Sequence, residues 1–145
     1  MSNMYATFQG DPALEKGGVW FDYGNFRIRA AYAGGANKSY QQSLETRTKH
    51  IRRGIQTGAV SAEVLTNILI DAYADSIITD WETIDENTGE WKKGIEAPDG
   101  SIIPFNRDNV VKTLKALPNL FENIKDGVGN STLYRKGELE DEGKN

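Results

Sequence analysis

The chain has 145 residues, no cysteine, a single histidine, 38% hydrophobic residues and a formal net charge of −4. That length fits one domain with a core of its own, and the lack of cysteine excludes disulfides, thiolate nucleophiles and Cys-ligated zinc. The opening residues MSNMYATFQG hold no apolar leader, and the longest apolar cluster, VLTNILIDAYADSII, carries two aspartates and is too short to cross a bilayer, so a cytoplasmic protein without membrane contact is expected.

Residues 1–17 show no clear periodicity and are read as a loosely ordered leader. In GGVWFDYGNFRIRAAYAGG, Val19, Phe21 and Tyr23 alternate with Trp20 and Asp22, and Phe26, Ile28 and Ala30 alternate with Arg27, Arg29 and Ala31. Period-two alternation around a Gly-Asn break predicts a β-hairpin with one apolar face. A lone ribbon is marginal in water, so helices must cover it.

A helix is expected from an Asn37 cap, with Tyr40, Leu44, Thr48 and Ile51 on one stripe and Gly54 as its stop. A stronger helix is expected from Ser61 to Trp81, with Leu65, Ile68, Leu69, Ala72, Tyr73 and Ile77 at helical spacing. Its surplus apolar arc serves either the core or self-association, and core is the expectation. The stretch ITDWETIDENTGEWKKGIEAPDGSIIPF, residues 78–105, contains seven carboxylates and two tryptophans. Its Asp, Asn, Pro and Gly positions predict an irregular hairpin or loop pinned by Trp81, Trp91 and Phe105. Asn106 caps a further helix, Pro118 opens the last one, and Gly127 and Gly129 end it. Residues 131–145 read as a charged tail. The expected fold is therefore α+β, mainly α. An N-terminal hairpin packs on about four helices across residues 18–130, with a small irregular insertion near residues 82–103.

No motif carries evident chemistry. Asp85, Asn87 and Glu90 place glycine too early for a calcium loop. Glu82 and Asp85 could face one another, but hydrated connector charges are the default reading of this acidic run. His50 lies among cations, with no serine and acid placed to complete a triad. No metal-ligand spacing and no cofactor loop is present, so neither an enzyme nor a cofactor is expected. Charge is uneven: residues 27–53 sum to +6 and the remainder to −10. That polarity suits a protein partner, whereas an acidic domain without a recognition helix disfavours nucleic acid.

Two stretches carry a resemblance. WFDYGNFRIRAAYAGGANKSYQQSL resembles the start of small tail-assembly chaperones of long-tailed (siphovirus-like) bacteriophages, in which a basic alternating strand leads into a helix with an early aromatic, here Tyr40. Further on, Asp80-Trp81-Glu82, Asp99-Gly100, Ile103-Pro104-Phe105 and Pro118-Asn119-Leu120 follow in the order of that family's turn and cap signals. The connector DENTGEWKKGIEA is longer than the resemblance suggests. The likeness implies a non-catalytic protein of the bacterial host cytoplasm, outside the mature virion, that binds the tape-measure protein and tail-tube subunits. The contact points chosen for such a partner are Arg47, Arg52 and Arg53 on the basic segment, with Leu120 and Phe121 on the last helix. A minor tail or connector protein of the virion, and a small nucleic-acid-binding regulator, are the alternatives.

Overall fold

The computed structural model describes residues 3–135. The fold is α+β: seven α-helices and two antiparallel sheets among the described residues. Residues 4–17, expected to be loosely ordered, instead form two short capped helices, α1 (Met4–Phe8) and α2 (Pro12–Gly17). Asn3 Oδ1 accepts from Ala6 N at 2.8 Å and Asp11 Oδ1 from Ala13 N at 3.0 Å. Caps rather than apolar periodicity define them, so a search for periodicity passes over them.

The hairpin forms as expected from β1 (Val19–Asp22) and β2 (Phe26–Ala30). It is half of a larger sheet. The expected helix over residues 61–81 ends at Ser76, leaving α5 (Ala62–Ser76), and residues 78–84 become β3 (Ile78–Ile84). β3 pairs antiparallel with β2, and β4 (Trp91–Lys93) pairs with β3, giving the order β1-β2-β3-β4. The β2–β3 register slips at Thr79, a bulge whose hydroxyl donates to Arg29 O at 3.3 Å and to Gly17 O at 3.1 Å. The insertion near 82–103 thus supplies sheet. Its remainder is a two-stranded ribbon of β5 (Ile95–Glu96) and β6 (Ile102–Ile103).

The basic segment divides into α3 (Lys38–Thr48) and α4 (Arg52–Gln56). Asn37 precedes α3 but does not cap it. Its buried amide donates to Tyr32 O at 2.8 Å and Ser76 O at 3.1 Å, joining the hairpin exit to the end of α5. Ser61 caps α5 and Asn106 caps α6 (Arg107–Ala116), both as expected. Pro118 opens α7 (Pro118–Val128).

One sheet face packs on the helices. Ile28, Trp81 and Ile78 meet Ile70, Tyr73, Val110, Leu114, Phe121, Ile124 and Val128 in one core. Tyr73 packs edge-on against both Tyr40 and Phe121, with ring centroids 5.5 and 5.2 Å apart. Trp81 meets Phe105 edge-on at 5.7 Å and donates Nε1–H to Ile103 O at 3.2 Å, which ties the small ribbon to the sheet. Residues 131–134, expected to begin a loose tail, form a 3₁₀ turn instead. Tyr134 is fully buried, and its hydroxyl donates to Ala30 O at 2.9 Å. The rest of that expected tail, residues 136–145, lies outside the described residues.

Candidate protein-binding surface

The outer sheet face is a ladder of opposite charges. Register places Asp22 opposite Arg27, Arg27 opposite Glu82, and Glu82 opposite Lys93. Arg27 donates from Nε to Glu82 Oε1 at 2.9 Å, and Lys93 Nζ reaches Glu82 Oε2 at 3.0 Å and Asp80 Oδ2 at 2.6 Å. The Arg27 guanidinium lies between two indoles, 4.1 Å from the Trp20 centroid and 4.4 Å from that of Trp91. Glu82 is therefore no hydrated connector charge: it is buried beneath this stack. Burial works to raise its pKa, but the hydrogen bonds from Arg27 and Lys93 outweigh that and hold it below the ordinary glutamate value. Trp91 joins this outer stack, on the far face from Trp81, so the two tryptophans do not enclose a common site.

Asp85 and Glu90 belong to a turn, in which Glu90 is exposed and Asp85 half-buried. Asp85 N donates to Glu90 O at 2.8 Å, and Asp85 Oδ1 accepts from Asn87 N at 2.9 Å. Its oxygens serve the turn itself. Glu82 on its strand does not face Asp85 as a catalytic partner. Among the described residues, no group of three or more His, Cys, Asp or Glu side chains could hold a metal ion.

The five residues chosen as contact points separate. Arg47 lies inside a four-charge cluster that joins three helices. Its Nε donates to Asp75 Oδ2 at 3.1 Å, and Arg107 Nε donates to Asp75 Oδ1 at 2.7 Å. Asp71 flanks both arginines, 3.7 Å from Arg47 and 3.5 Å from Arg107. Partial burial disfavours the Asp75 carboxylate, yet its hydrogen bonds from Arg107, Arg47 and Ser43 prevail and lower its pKa. Arg47 thus braces α3 against α5. Phe121 is 2% exposed and belongs to the core, so it offers no contact surface. The 3.6-residue spacing that flagged Phe121 marks a buried face as readily as a docking face. Leu120, one residue earlier, is half-buried.

Arg52 and Arg53 remain. Both are exposed on α4, and neither forms an ion pair among the described residues. The turn after α4 folds back through Ala59 N to Gly54 O at 2.8 Å and leads into α5. There Val64 and Leu65 are 44% and 36% exposed. Two cations without an ion pair among the described residues and two uncovered aliphatic side chains thus lie on either side of the α4–α5 turn. Leu65 carried a visible apolar signal, but helical spacing assigned it to the core. Only the structure shows that the first turn of α5 extends past it. His50, at the α3–α4 joint, is exposed.

Residues 35–145 match the family described as YdaY prophage protein. The chain belongs to that family. The match begins just before α3, so it takes in α3, α4, the α4–α5 corner, β3 to β6 and the last helices. Searches of curated proteins and of solved structures returned no match. This prophage-family protein has no helix among its described residues long and apolar enough to cross a membrane.

Proposed function

We propose that this protein is a non-catalytic tail-assembly chaperone of its phage, one that holds the tape-measure protein soluble while tail-tube subunits assemble. Its prophage family supports a phage role, and the ordered motifs from Trp20 to Leu120 support the tail-assembly reading. The observation that carries the binding role is the α4–α5 corner, where exposed Arg52 and Arg53, without an ion pair among the described residues, and uncovered Val64 and Leu65 lie on either side of one turn. A long helical client needs shallow apolar contact ringed by charge, repeated weakly along its length. Acidic positions on the client meet the arginines, while its apolar stripe meets Val64 and Leu65. Arg47 and Phe121, chosen earlier as contacts, serve the fold.

Co-expression with the tape-measure protein of the same prophage tests this. The chaperone raises the client's soluble yield and co-purifies with it, and the Arg52→Glu/Arg53→Glu variant loses most of that effect. An unchanged yield with the native protein refutes the function. An unchanged yield with the variant refutes the corner as the contact.

A further inference from the structure

The sheet ends on β1, and that end is open. Tyr23 N donates to Phe26 O at 2.9 Å, and the pairs Phe21–Ile28 and Val19–Ala30 keep the same phase. Val19 and Phe21 therefore turn their backbone groups toward β2, while Trp20 and Asp22 turn theirs outward. No loop, turn or side chain among the described residues hydrogen-bonds the outward groups. Beside this edge, on the helical side, lies an open depression of about 350 Å³ lined by Phe21, Asn123, Asp126, Gly127, Asn130 and Leu133. Gly127 makes the arrangement possible: a Cβ there would come within 2.6 Å of the Phe21 ring. On the other face the Trp20 indole is fixed by its stack on Arg27.

Charge selects the occupant. Asp22 on the outer face and Asp126 at the depression are both exposed, and neither forms an ion pair among the described residues. A second copy would bring its own Asp22 to this edge and add negative charge to negative charge. We propose that β1 is a strand-addition site for an extended, lysine- or arginine-bearing segment of a partner polypeptide. Main-chain hydrogen bonds at Trp20 and Asp22 set the register. The partner residue opposite Phe21 shares its face and enters the depression, where its cation meets Asp126. This builds on the polypeptide-binding role proposed above but uses a surface separate from the α4–α5 corner.

The probes are two acetylated peptides of equal length, one alternating valine with lysine and one alternating valine with glutamate. Both are titrated into the isotopically labelled full chain. The lysine peptide shifts the Trp20 and Asp22 amide resonances and slows their hydrogen exchange; the glutamate peptide does neither. Asp126→Lys, which replaces one exposed ion pair worth up to about fivefold with a repulsion, weakens the lysine peptide by about fivefold or more. Asp126→Asn, which keeps the side-chain size, weakens it by less. Three results overturn the proposal: no protection of those amides by the lysine peptide, equal response to both peptides, or protection that grows with protein concentration as the mass doubles, which gives the edge to a second copy. The Asp126→Lys chain is also co-expressed with the tape-measure protein. Retained client solubility there, alongside failed peptide binding to the native chain, sinks the edge proposal and leaves the chaperone reading standing.

Discussion

Arg27→Ala should cost far more than the loss of an ordinary surface ion pair. The substitution removes two guanidinium–indole contacts, each worth about 0.5–1 kcal/mol at a partly exposed site. It also leaves Glu82, only 7% exposed, with a single lysine that itself lies in solvent. An incompletely satisfied buried carboxylate adds about 1–3 kcal/mol. Together the expected loss is about 2–5 kcal/mol. Arg27→Lys should recover part of it, since the charge is kept while the planar fork and the stack are lost. Lys93→Ala should cost much less, because the Arg27 bonds to Glu82 persist. Urea unfolding followed by far-UV circular dichroism measures each variant without relying on the two tryptophans of the stack, and the slope with denaturant should stay constant. A loss below about 1 kcal/mol for Arg27→Ala would put this stack in the class of ordinary surface pairs and refute the reasoning. So would a Lys93→Ala loss of equal size.

Phe121→Ala should destabilise by about 3–5 kcal/mol, because the ring fills the core against Tyr73; urea unfolding checks it, and a near-neutral result would return Phe121 to the surface. Tyr134→Phe should cost about 1 kcal/mol through the lost bond to Ala30 O, measured by thermal or urea unfolding, with no loss expected if residues 131–135 were unanchored. Stability should fall on acidification. Glu82 and Asp75 have folded pKa values below their ordinary 4.5 and 3.8. Each therefore contributes stability that is present above those ordinary values and is lost as pH drops through them toward the folded ones. Denaturant titrations across that window should show the fall, and Glu82→Gln should flatten part of it.

The hairpin, the Ser61 and Asn106 caps and the Pro118 start were all legible, because each rests on local chemistry: alternation, a side-chain oxygen, a missing N–H. The third strand was not. Ile77, Ile78 and Trp81 continue the apolar spacing of α5 as smoothly as they begin β3, so periodicity could not separate helix from strand. The β-branched run of Ile77, Ile78, Thr79, Thr83 and Ile84 was the available hint. What ends the helix is tertiary: the Asn37 amide holds Ser76 O, and Ala31 N takes Ile77 O at 2.8 Å. The same missing partner strand hid the role of Glu82. Without β2 beside it, an acid in ITDWETIDE reads as hydrated; with β2 in register, it lies under Arg27. At the proposed binding corner, the positive charge of Arg52 and Arg53 was readable from the sequence. The structural partners of Arg47 and Phe121 were not legible, because Asp75 and Tyr73 lie on another helix.

Hydrogen exchange on the co-purified complex with the tape-measure protein tests the central claim most directly. Amides of residues 52–65 should exchange more slowly in the complex than in the free chain, with the core strands unchanged. Unaltered exchange across that corner, in a complex that does form, would contradict the account.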